Sequence, residues 1–510
     1  MSTRLDAAAG GSADAPIRRG LVTSTLVLSS MIYSIDWTIA AVALPHMQGT
    51  FSATQDQISW VLTSYIVASA VMLPTTGWLS ARFGRKRLFF AAVGGFTVFS
   101  LFCGVADSLL AEVLLRIGQG ACGAFLIPLS QAIMLDIYPP EEHGKAMALW
   151  GMGVVLGPVI GPTLGGYLTE AISWRWIFFI NLPVGAAALL GGALFLPRMP
   201  PADNPRRFDV FGFVALACGV GAMQMMLDRG ERLDWFESTE IVTEAIVMVA
   251  GLYFFVVHSL TSRGALIDVR LMANRNYALG MVLVFLYGVL TLAPMVLMPP
   301  FLKDLQDYPM ATIGLLLSPR GLGLFMAMIV LGRFGNRWDP RLQIVSGFLL
   351  LAASSWWMSG WNLEVSAGPV FWTGLMQGFG AGSIIGPLGV LTFASLPAEH
   401  RTEAASMWNL VRSLGSSIGI AAALAILVRT AGISRGVLVE IISPYNEVLR
   451  EGPLPGGGEL MEPSSLLALE EEVARQALMI GYLDVFYLCA LASVLALPLV
   501  PLLRTPRRGR

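Results

Sequence analysis

Long apolar runs constrain this chain more than any other feature of its sequence. A helix that crosses a bilayer needs about 20 predominantly apolar residues, and many runs here have that length. Only 13% of the 510 residues are charged and 55% are hydrophobic, whereas soluble proteins carry about 25% charged residues. The sequence therefore predicts an all-α polytopic membrane protein.

The apolar runs between polar breaks predict fourteen transmembrane helices. The predicted spans are 21–45, 57–80, 88–106, 109–135, 145–169, 174–196, 209–228, 240–260, 277–301, 311–332, 342–361, 369–395, 405–428 and 479–503. The tails and loops on the same side of the membrane as the N-terminus hold 22 of the 33 lysines and arginines. The loops on the opposite side hold eight. Since positively charged loops stay in the cytoplasm, both termini are predicted to be cytoplasmic.

Charge and cysteine usage exclude several other classes of protein. The net charge is −1, which gives no sign of a nucleic-acid partner. The four cysteines all lie in apolar runs and show no metal-ligand spacing: Cys103, Cys122, Cys218 and Cys489. We therefore predict neither a disulfide framework nor a metal, and no cofactor other than the proton discussed below.

Two regions of the chain repeat each other at an offset of 257 or 258 residues. QGACGAFLIPL begins at Gln119 and QGFGAGSIIGPL at Gln377, and the loops PEEHGKAMALW and PAEHRTEAASMW follow them. Eight spans separate the copies, so the two halves share one orientation, as in transporters built from parallel repeats. The predicted domains are a tail at 1–20, a six-helix half at 21–196, an inserted helix pair within 197–276, a second half at 277–503 and a tail at 504–510.

The loop after span 2 reads GWLSARFGRKR. Gly77 and Gly84 permit a tight turn, and Arg82 and Arg85 can reach neighbouring helix ends. We predict a cytoplasmic gate at these residues. The alternative is an ordinary positive anchor of the kind that any membrane protein can carry.

Span 5 reads GVVLGPVIGPTLGGYL and repeats a Gly-Pro pair. Glycines every four residues give a smooth face for close helix contact, and the prolines remove backbone donors and bend the helix. The motif residues are Gly157, Pro158, Gly161, Pro162, Gly165 and Gly166. Plain small-residue packing is the alternative reading.

These motifs resemble the major facilitator superfamily, and within it the fourteen-span drug/proton antiporters of the EmrB/QacA type, in particular the EmrB branch. The resembling stretches are IDWTIAAVALP, GWLSARFGRKR, LLRIGQGACGAFLIPLSQ, LGPVIGPTLGGYL, WRWIFFINLPVG, MLDRGERLDWF and SMWNLVRSLGSSIG. The resemblance implies two six-helix bundles plus an inserted helix pair, in a bacterial inner membrane. It also implies a periplasmic adaptor protein and an outer-membrane channel as partners. The sequence leaves open whether the predicted periplasmic loop 429–478 binds an adaptor or is only flexible.

One position departs from the superfamily pattern. Residue 81 is alanine, where the loop motif of the superfamily usually has aspartate. The carboxylate–arginine contact at the gate is therefore incomplete in this loop. Asp136, at the end of span 4, is the candidate that replaces it by pairing with Arg82 or Arg85.

Charged residues inside predicted spans are functional candidates by default. Asp36 lies about 13 Å and Arg116 about 10 Å from the outer ends of spans 1 and 4, so the two can meet. Asp36 has no charged neighbour on its own helix, and a buried carboxyl binds protons differently beside an arginine and in an apolar environment. The candidate proton-coupling residues are Asp36, Arg116 and Glu112. Alternatively, Arg116 only pairs with Glu112, one helical turn before it.

Two further arginines lie in spans of the second half. Arg320 stands between Pro319 and Gly321, where the sequence predicts a helix break and a structural role is as plausible as a functional one. Arg412 can serve either as an interface anchor or as a cavity residue. The other predicted substrate-cavity residues are neutral: Gln119, Gln131, Tyr287, Gln377, Trp408 and Asn409.

The sequence as a whole predicts a proton-coupled exporter of amphipathic or lipophilic small molecules that works by alternating access. Three buried arginines against one aspartate disfavour dicationic substrates. An importer or proton symporter of the same fold is the first alternative, and a non-transporting membrane sensor is another. No hydrolase or metalloprotease motif occurs, so we do not expect an enzyme.

Overall fold

The computed structural model describes residues 19–505, except 198, 200, 202–206, 263–264, 268, 336–337, 395, 398–399 and 442–462. This part of the chain is helical and contains no strand. We number its long helices α1 (Arg19–Phe51), α2 (Gln57–Phe83), α3 (Arg85–Gly104), α4 (Leu109–Ile137), α5 (His143–Ala171), α6 (Trp176–Phe195), α7 (Val210–Arg229), α8 (Thr239–Thr261), α9 (Arg275–Leu305), α10 (Met310–Phe334), α11 (Pro340–Met358), α12 (Ala367–Phe393), α13 (Arg401–Ile441) and α14 (Ser464–Leu502).

Twelve helices in the described part of the chain are long and apolar enough to cross a membrane. Helices α5 and α11, at predicted spans 5 and 11, are not among these twelve. The all-helical membrane architecture is therefore confirmed, while the count of fourteen spans stays a prediction.

The helices of the two halves pair in the same pattern, at an offset of eight helices. Helix α1 packs on α5 as α9 packs on α13, and α2 packs on α4 as α10 packs on α12. Helices α3 and α6 pair in the same way as α11 and α14. Contacts between α5 and α10, and between α13 and α2, join the halves.

Glycines allow the same close helix approach in each half. A Cβ atom at Gly157 of α5 would overlap the backbone of Ser34 on α1, and one at Gly415 of α13 would overlap the carbonyl of Phe285 on α9. These two glycines lie 258 residues apart, which is the offset of the sequence repeat. The repeat therefore extends to the helix pairs α1–α5 and α9–α13.

The inserted helices α7 and α8 pack on each other at one edge of the seam between the halves. On α7, Asp228 accepts a hydrogen bond from Thr63 of α2. One turn earlier on α7, Gln224 accepts a hydrogen bond of 3.0 Å from Ser417 of α13. Helix α7 is therefore bonded to both halves.

Two segments differ from the sequence-based expectation. The predicted break at Pro319 is absent, because α10 continues as a helix from Met310 to Phe334. Much of the predicted loop 429–478 is helical as well, since α13 extends to Ile441 and α14 begins at Ser464. Residues 442–462 lie outside the described part. Contact between α13 and α14 stabilises these extensions, which a reading of hydrophobicity alone does not detect.

Candidate functional site

Asp36 lies on α1 with a fully buried side chain. Its carboxylate accepts three hydrogen bonds: 2.6 Å from Arg116 Nη1, 2.8 Å from Gln119 Nε2 and 2.8 Å from Asn181 Nδ2. These three donors satisfy the buried carboxylate, and the arginine supplies the opposite charge. The helices α1, α4 and α6 therefore meet at one buried ion pair.

Arg116 is fixed by several contacts in addition to Asp36. Its Nε atom donates to the carbonyl of Val61 at 3.1 Å, and Nη1 also reaches Gln119 Oε1 at 2.8 Å. The guanidinium carbon lies 4.3 Å from the centre of the Tyr65 ring, so a cation–π contact covers one face. The arginine is thus desolvated and oriented toward α1.

Glu112 is not the partner of Arg116, although it lies one helical turn before it. The Glu112 side chain is fully buried, and neither of its carboxylate oxygens has a hydrogen-bond partner among the described residues. The sequence left open whether Arg116 pairs with Asp36 or with Glu112, and the structure brings it to Asp36.

A cavity of about 240 Å³ lies mainly within the second half. Four predicted cavity residues line it: Tyr287, Arg320, Gln377 and Arg412. Most of the other lining residues are apolar, including Met295, Met298, Leu317, Leu324 and Met358. The cavity therefore combines flexible apolar walls with a few polar groups, as small-molecule sites do.

The two cavity arginines have no carboxylate partner within the described part of the chain. Arg320 donates to the carbonyl of Thr291 on α9. Arg412 interacts electrostatically with Tyr287, which also lines the cavity, and with Tyr33 of the first half. The cavity is consequently positive, because neither cation is neutralised by the protein.

Two tyrosines connect the ion pair to the cavity. The ring of Tyr65, which contacts Arg116, lies 5.9 Å from the ring of Tyr33. Tyr33 in turn interacts electrostatically with Arg412, which lines the cavity. Contacting side chains thus lead from Asp36 to Tyr33, whose hydroxyl interacts electrostatically with Arg412 of the second half.

Asp136 joins the two halves at the end of the bundle that carries the termini, which we call the termini end. It forms ion pairs with Arg85 of the first half and, at 3.1 Å, with Arg401 of the second. Arg82, the other predicted partner, is exposed. The halves are therefore in contact at the termini end in this conformation.

Glycines of the predicted gate support this contact. Gly84 has a φ of 83° between α2 and α3, a conformation that favours glycine. A Cβ atom at Gly77 would lie 3.0 Å from the Cα atom of Glu403 on α13, so the missing side chain lets α2 approach the second half. Gly77 thus supports the contact between the halves, whereas Gly84 supports the turn between α2 and α3.

The remaining predicted residues lie elsewhere. Gln119 belongs to the Asp36 cluster, whereas Gln131 accepts a 2.8 Å hydrogen bond from Asn409 across the seam. Trp408 is fully buried against the ring of Phe393 and does not line the cavity described above. Trp408 lies one helical turn before Arg412, which lines the cavity, so the sequence places both on one face of α13. The spacing alone does not show that the Trp408 side chain is packed in the interior.

The motif glycines of span 5 face α1. Gly157, Gly161 and Gly165 approach Ser34, Thr38 and Ile39, respectively. Gly166 has only one atom, at 4.0 Å, near its Cβ position, so it is not needed for this contact. The side chains of Pro158 and Pro162 lie outside the described residues.

Some functional positions escaped the sequence reasoning. Asn181 bonds Asp36 and also donates to Ser100 at 3.0 Å, yet neither polar residue stands out in its apolar run. Arg401, which pairs with Asp136, is one of many loop cations in the sequence and carries no signal of its own. Gly415 follows Gly157 at the repeat offset, so aligning the two copies beyond their strongest match would have found it.

The fold and the buried charges define a membrane transporter built from two similar halves. The family model for the Major Facilitator Superfamily matches residues 26–424. The chain belongs to this superfamily, as its sequence motifs predicted, and it is a transporter rather than an enzyme.

Several characterised proteins are similar over nearly the whole chain. The multidrug export protein EmrB of Haemophilus influenzae is 35% identical over 93% of this chain and 94% of its own length. The fatty acid resistance protein FarB of Neisseria gonorrhoeae is 34% identical over 95% of this chain and 96% of its own length. The crystal structure of the human organic anion transporter MFSD10 shares the fold at 15% identity, with a TM-score of 0.61 over 96% of this chain and all of that one.

Proposed function

We propose that this protein exports lipophilic small molecules in exchange for protons, by alternating access of its two halves. The observation that carries the proposal is the buried Asp36–Arg116 ion pair, from which the adjacent Tyr65 and Tyr33 rings lead toward Arg412 of the cavity. A proton that binds Asp36 weakens its ion pair with Arg116. A movement of Arg116 would displace Tyr65 and Tyr33, and so alter the surroundings of Arg412 beside the substrate. The EmrB relative, a multidrug export protein, supports the direction of transport.

Alternating access follows from the contacts between the halves. At the termini end, Asp136 of the first half pairs with Arg401 of the second. Breaking this ion pair and rocking the halves would open the termini end and expose the cavity there. Glycines at the α1–α5 and α9–α13 contacts keep each half tightly packed while it moves as a unit.

Transport into inverted membrane vesicles tests the proposal. The wild-type protein should accumulate compounds from a panel when a proton gradient is applied, and Asp36→Asn should abolish that accumulation while the protein remains inserted. Asp107→Asn is the matched control, because the Asp107 side chain is 98% exposed. Gradient-driven transport by Asp36→Asn at the wild-type rate would contradict proton coupling at Asp36, and transport of the opposite polarity would favour the symporter alternative.

For the substrate, we propose neutral or weakly acidic lipophilic compounds rather than dications. Arg320 and Arg412 present uncompensated positive charge to an apolar cavity, which attracts a carboxylate and repels a dication. The name of the FarB relative, a fatty acid resistance protein, agrees with this preference. Growth assays with a compound panel test it, and resistance restricted to dicationic dyes would contradict it.

For the location, we propose the bacterial inner membrane with both termini in the cytoplasm. The distribution of lysine and arginine supports this orientation, since 22 of 33 lie on the side of the termini. A fluorescent protein fused after Arg510 should fluoresce, whereas alkaline phosphatase at that place should be inactive. The opposite pair of results would reverse the orientation.

For assembly, we propose that a periplasmic adaptor protein and an outer-membrane channel act with this transporter. Helix α13 has 41 residues and so extends about 60 Å, twice the thickness of a bilayer core. Its end is joined to α14 by an ion pair of 2.7 Å between Arg435 and Glu470. Ile433 and Val437 on this extension are exposed. Replacing both with glutamate should abolish co-purification of a co-expressed adaptor without affecting transport in vesicles.

A further inference from the structure

Glu112 differs from Asp36 in every contact of its carboxyl group. Both side chains are fully buried, but Asp36 accepts three hydrogen bonds, whereas the two oxygens of Glu112 have no hydrogen-bond partner within the described residues. An ionised carboxylate in a buried apolar site without a partner is far less stable than the neutral acid. The surroundings of Glu112 therefore suit a protonated carboxyl in this conformation.

Arg116 stands between the two carboxyl groups. Its Nη1 atom is bonded to Asp36, while its Nη2 atom is buried and has no partner among the described residues. Residues four apart on a helix lie on the same face, so Glu112 is within reach of a different Arg116 rotamer. One cation thus has a bonded carboxylate on α1 and an unbonded carboxyl on its own helix.

From this arrangement we propose that Glu112 is a second proton-binding group, and that Arg116 exchanges between Asp36 and Glu112 during transport. The inference rests on the proton coupling proposed above. In the present conformation, Glu112 holds a proton and Arg116 pairs with Asp36. When a proton binds Asp36, Arg116 turns to Glu112, which releases its own proton as the new ion pair forms. One proton enters and one leaves, and the cluster keeps the same net charge.

The other groups around Glu112 do not take over this role. The titratable and charged residues that influence it are Arg116, Asp36, Cys103 and Arg175. Arg175 donates to the carbonyl of Ala106 at 2.9 Å and so is engaged outside the cluster. The Cys103 thiol lies 3.8 Å from the Gln119 side chain and also neighbours Glu112, but a thiol is a weak donor and supplies no charge to pair with a carboxylate. Arg116 is therefore the cation that can exchange between the two acids.

Infrared spectroscopy of the purified protein tests the protonation state of Glu112 directly. The wild type at neutral pH should show the carbonyl stretch of a buried protonated carboxyl, and Glu112→Gln should remove it. Glu170→Gln is the matched control, because Glu170 is exposed at the far end of α5 and its replacement should leave the band in place. A buried-carboxyl band that persists in Glu112→Gln would overturn the inference.

The exchange of Arg116 has its own readout. Asp36→Asn imitates a protonated Asp36, so Arg116 should turn to Glu112 and the Glu112 band should disappear. If the band persists in folded Asp36→Asn, the exchange is refuted, and if that variant does not fold, the Glu112→Gln spectrum still decides the protonation of Glu112.

Transport in proteoliposomes separates this inference from the proposed function. Proton-driven efflux of dodecanoate, used as the probe, should fall at least tenfold in Glu112→Gln. Wild-type rates in Glu112→Gln would refute only the role of Glu112. A wild-type protein that shows no proton-driven transport of any compound in the panel would refute the proposed function, while the infrared band would still decide whether Glu112 is protonated.

Discussion

In the first half of the molecule, a buried arginine is bonded to a carboxylate, whereas in the second half two arginines face a cavity with no carboxylate partner among the described residues. Asp36 and Arg116 are fully buried and joined at 2.6 Å. Arg320 and Arg412 are only partly buried and line an apolar cavity. The helices of the two halves nevertheless pair in the same pattern. Similar scaffolds therefore carry two different charge arrangements.

This difference indicates a division of roles between the halves. A neutralised pair in a dry site is sensitive to a single proton, because protonation of one partner removes the attraction that balances its desolvation. Uncompensated arginines beside an apolar cavity suit an anionic or weakly acidic guest instead. The contrast gives four predictions, which we order from the largest expected effect to the smallest.

The first prediction concerns stability. Asp36→Asn breaks the buried ion pair with Arg116, which must then turn to Glu112, and should lower the free energy of unfolding by up to about 3–5 kcal/mol. Arg320→Gln removes a cation that has no carboxylate partner and should not destabilise the protein. Thermal unfolding in detergent measures both. The double variant Asp36→Asn/Arg116→Gln should recover much of the loss, and equal losses in the two single variants would remove the contrast between the halves.

The second prediction concerns ligand affinity. Arg320→Gln and Arg412→Gln should each weaken binding of a lipophilic carboxylate about 10- to 100-fold, the effect of losing a charged hydrogen bond of about 1.5–3 kcal/mol. Binding of a neutral lipophilic compound should change little. Isothermal titration calorimetry measures the affinities. Arg333→Gln serves as the control, because Arg333 lies on the same helix but is exposed. Unchanged carboxylate affinity in both cavity variants would refute a positive binding site.

The third prediction concerns the close helix contacts at glycine that the two halves have in common. Gly157→Ala and Gly415→Ala should each lower the free energy of unfolding by about 1–3 kcal/mol, because the added methyl group overlaps a neighbouring helix backbone. Gly166→Ala should be nearly neutral, since its Cβ position is open. Denaturation of the three variants in detergent measures this. A large loss at only one of the two equivalent glycines would show that the halves pack differently.

The fourth prediction concerns the contact between the halves. Arg401→Gln removes a partly exposed ion pair of about 0–1 kcal/mol and should shift the equilibrium toward an open termini end by up to about fivefold. Spin labels on α2 and α13 measure the separation by pulsed electron resonance. Arg435→Gln breaks an ion pair between α13 and α14, which both belong to the second half, and should leave the distances unchanged. The same shift in both variants would contradict a gate at Asp136.

Much of the fold was predictable because hydrophobic length and the repeat are local properties of the sequence. Apolar runs must form helices in lipid, where each backbone group needs an internal partner. The repeat offset placed the equivalent helices in register. The extensions of α13 and α14 escaped this reasoning, since charged residues there form helices through mutual packing rather than through lipid contact.

The candidate site was predictable only in part. Asp36 and Arg116 stand out as charges in apolar runs, but the choice of Arg116 between Asp36 and Glu112 depends on how α1 and α4 are rotated against each other. Sequence spacing describes neighbours on one helix and cannot supply that rotation. The hydrogen bond between Gln131 and Asn409 joins different halves and was missed for the same reason.

Asp136 holds two arginines, and only one of them belongs to the second half. When the halves separate at the termini end, Asp136 keeps Arg85, and the released Arg401, whose side chain is already 21% exposed, gains water. Opening therefore leaves no unpaired charge buried in the protein. It avoids the large cost of breaking a fully buried ion pair. This ion pair can therefore close the termini end without adding a large barrier to its opening.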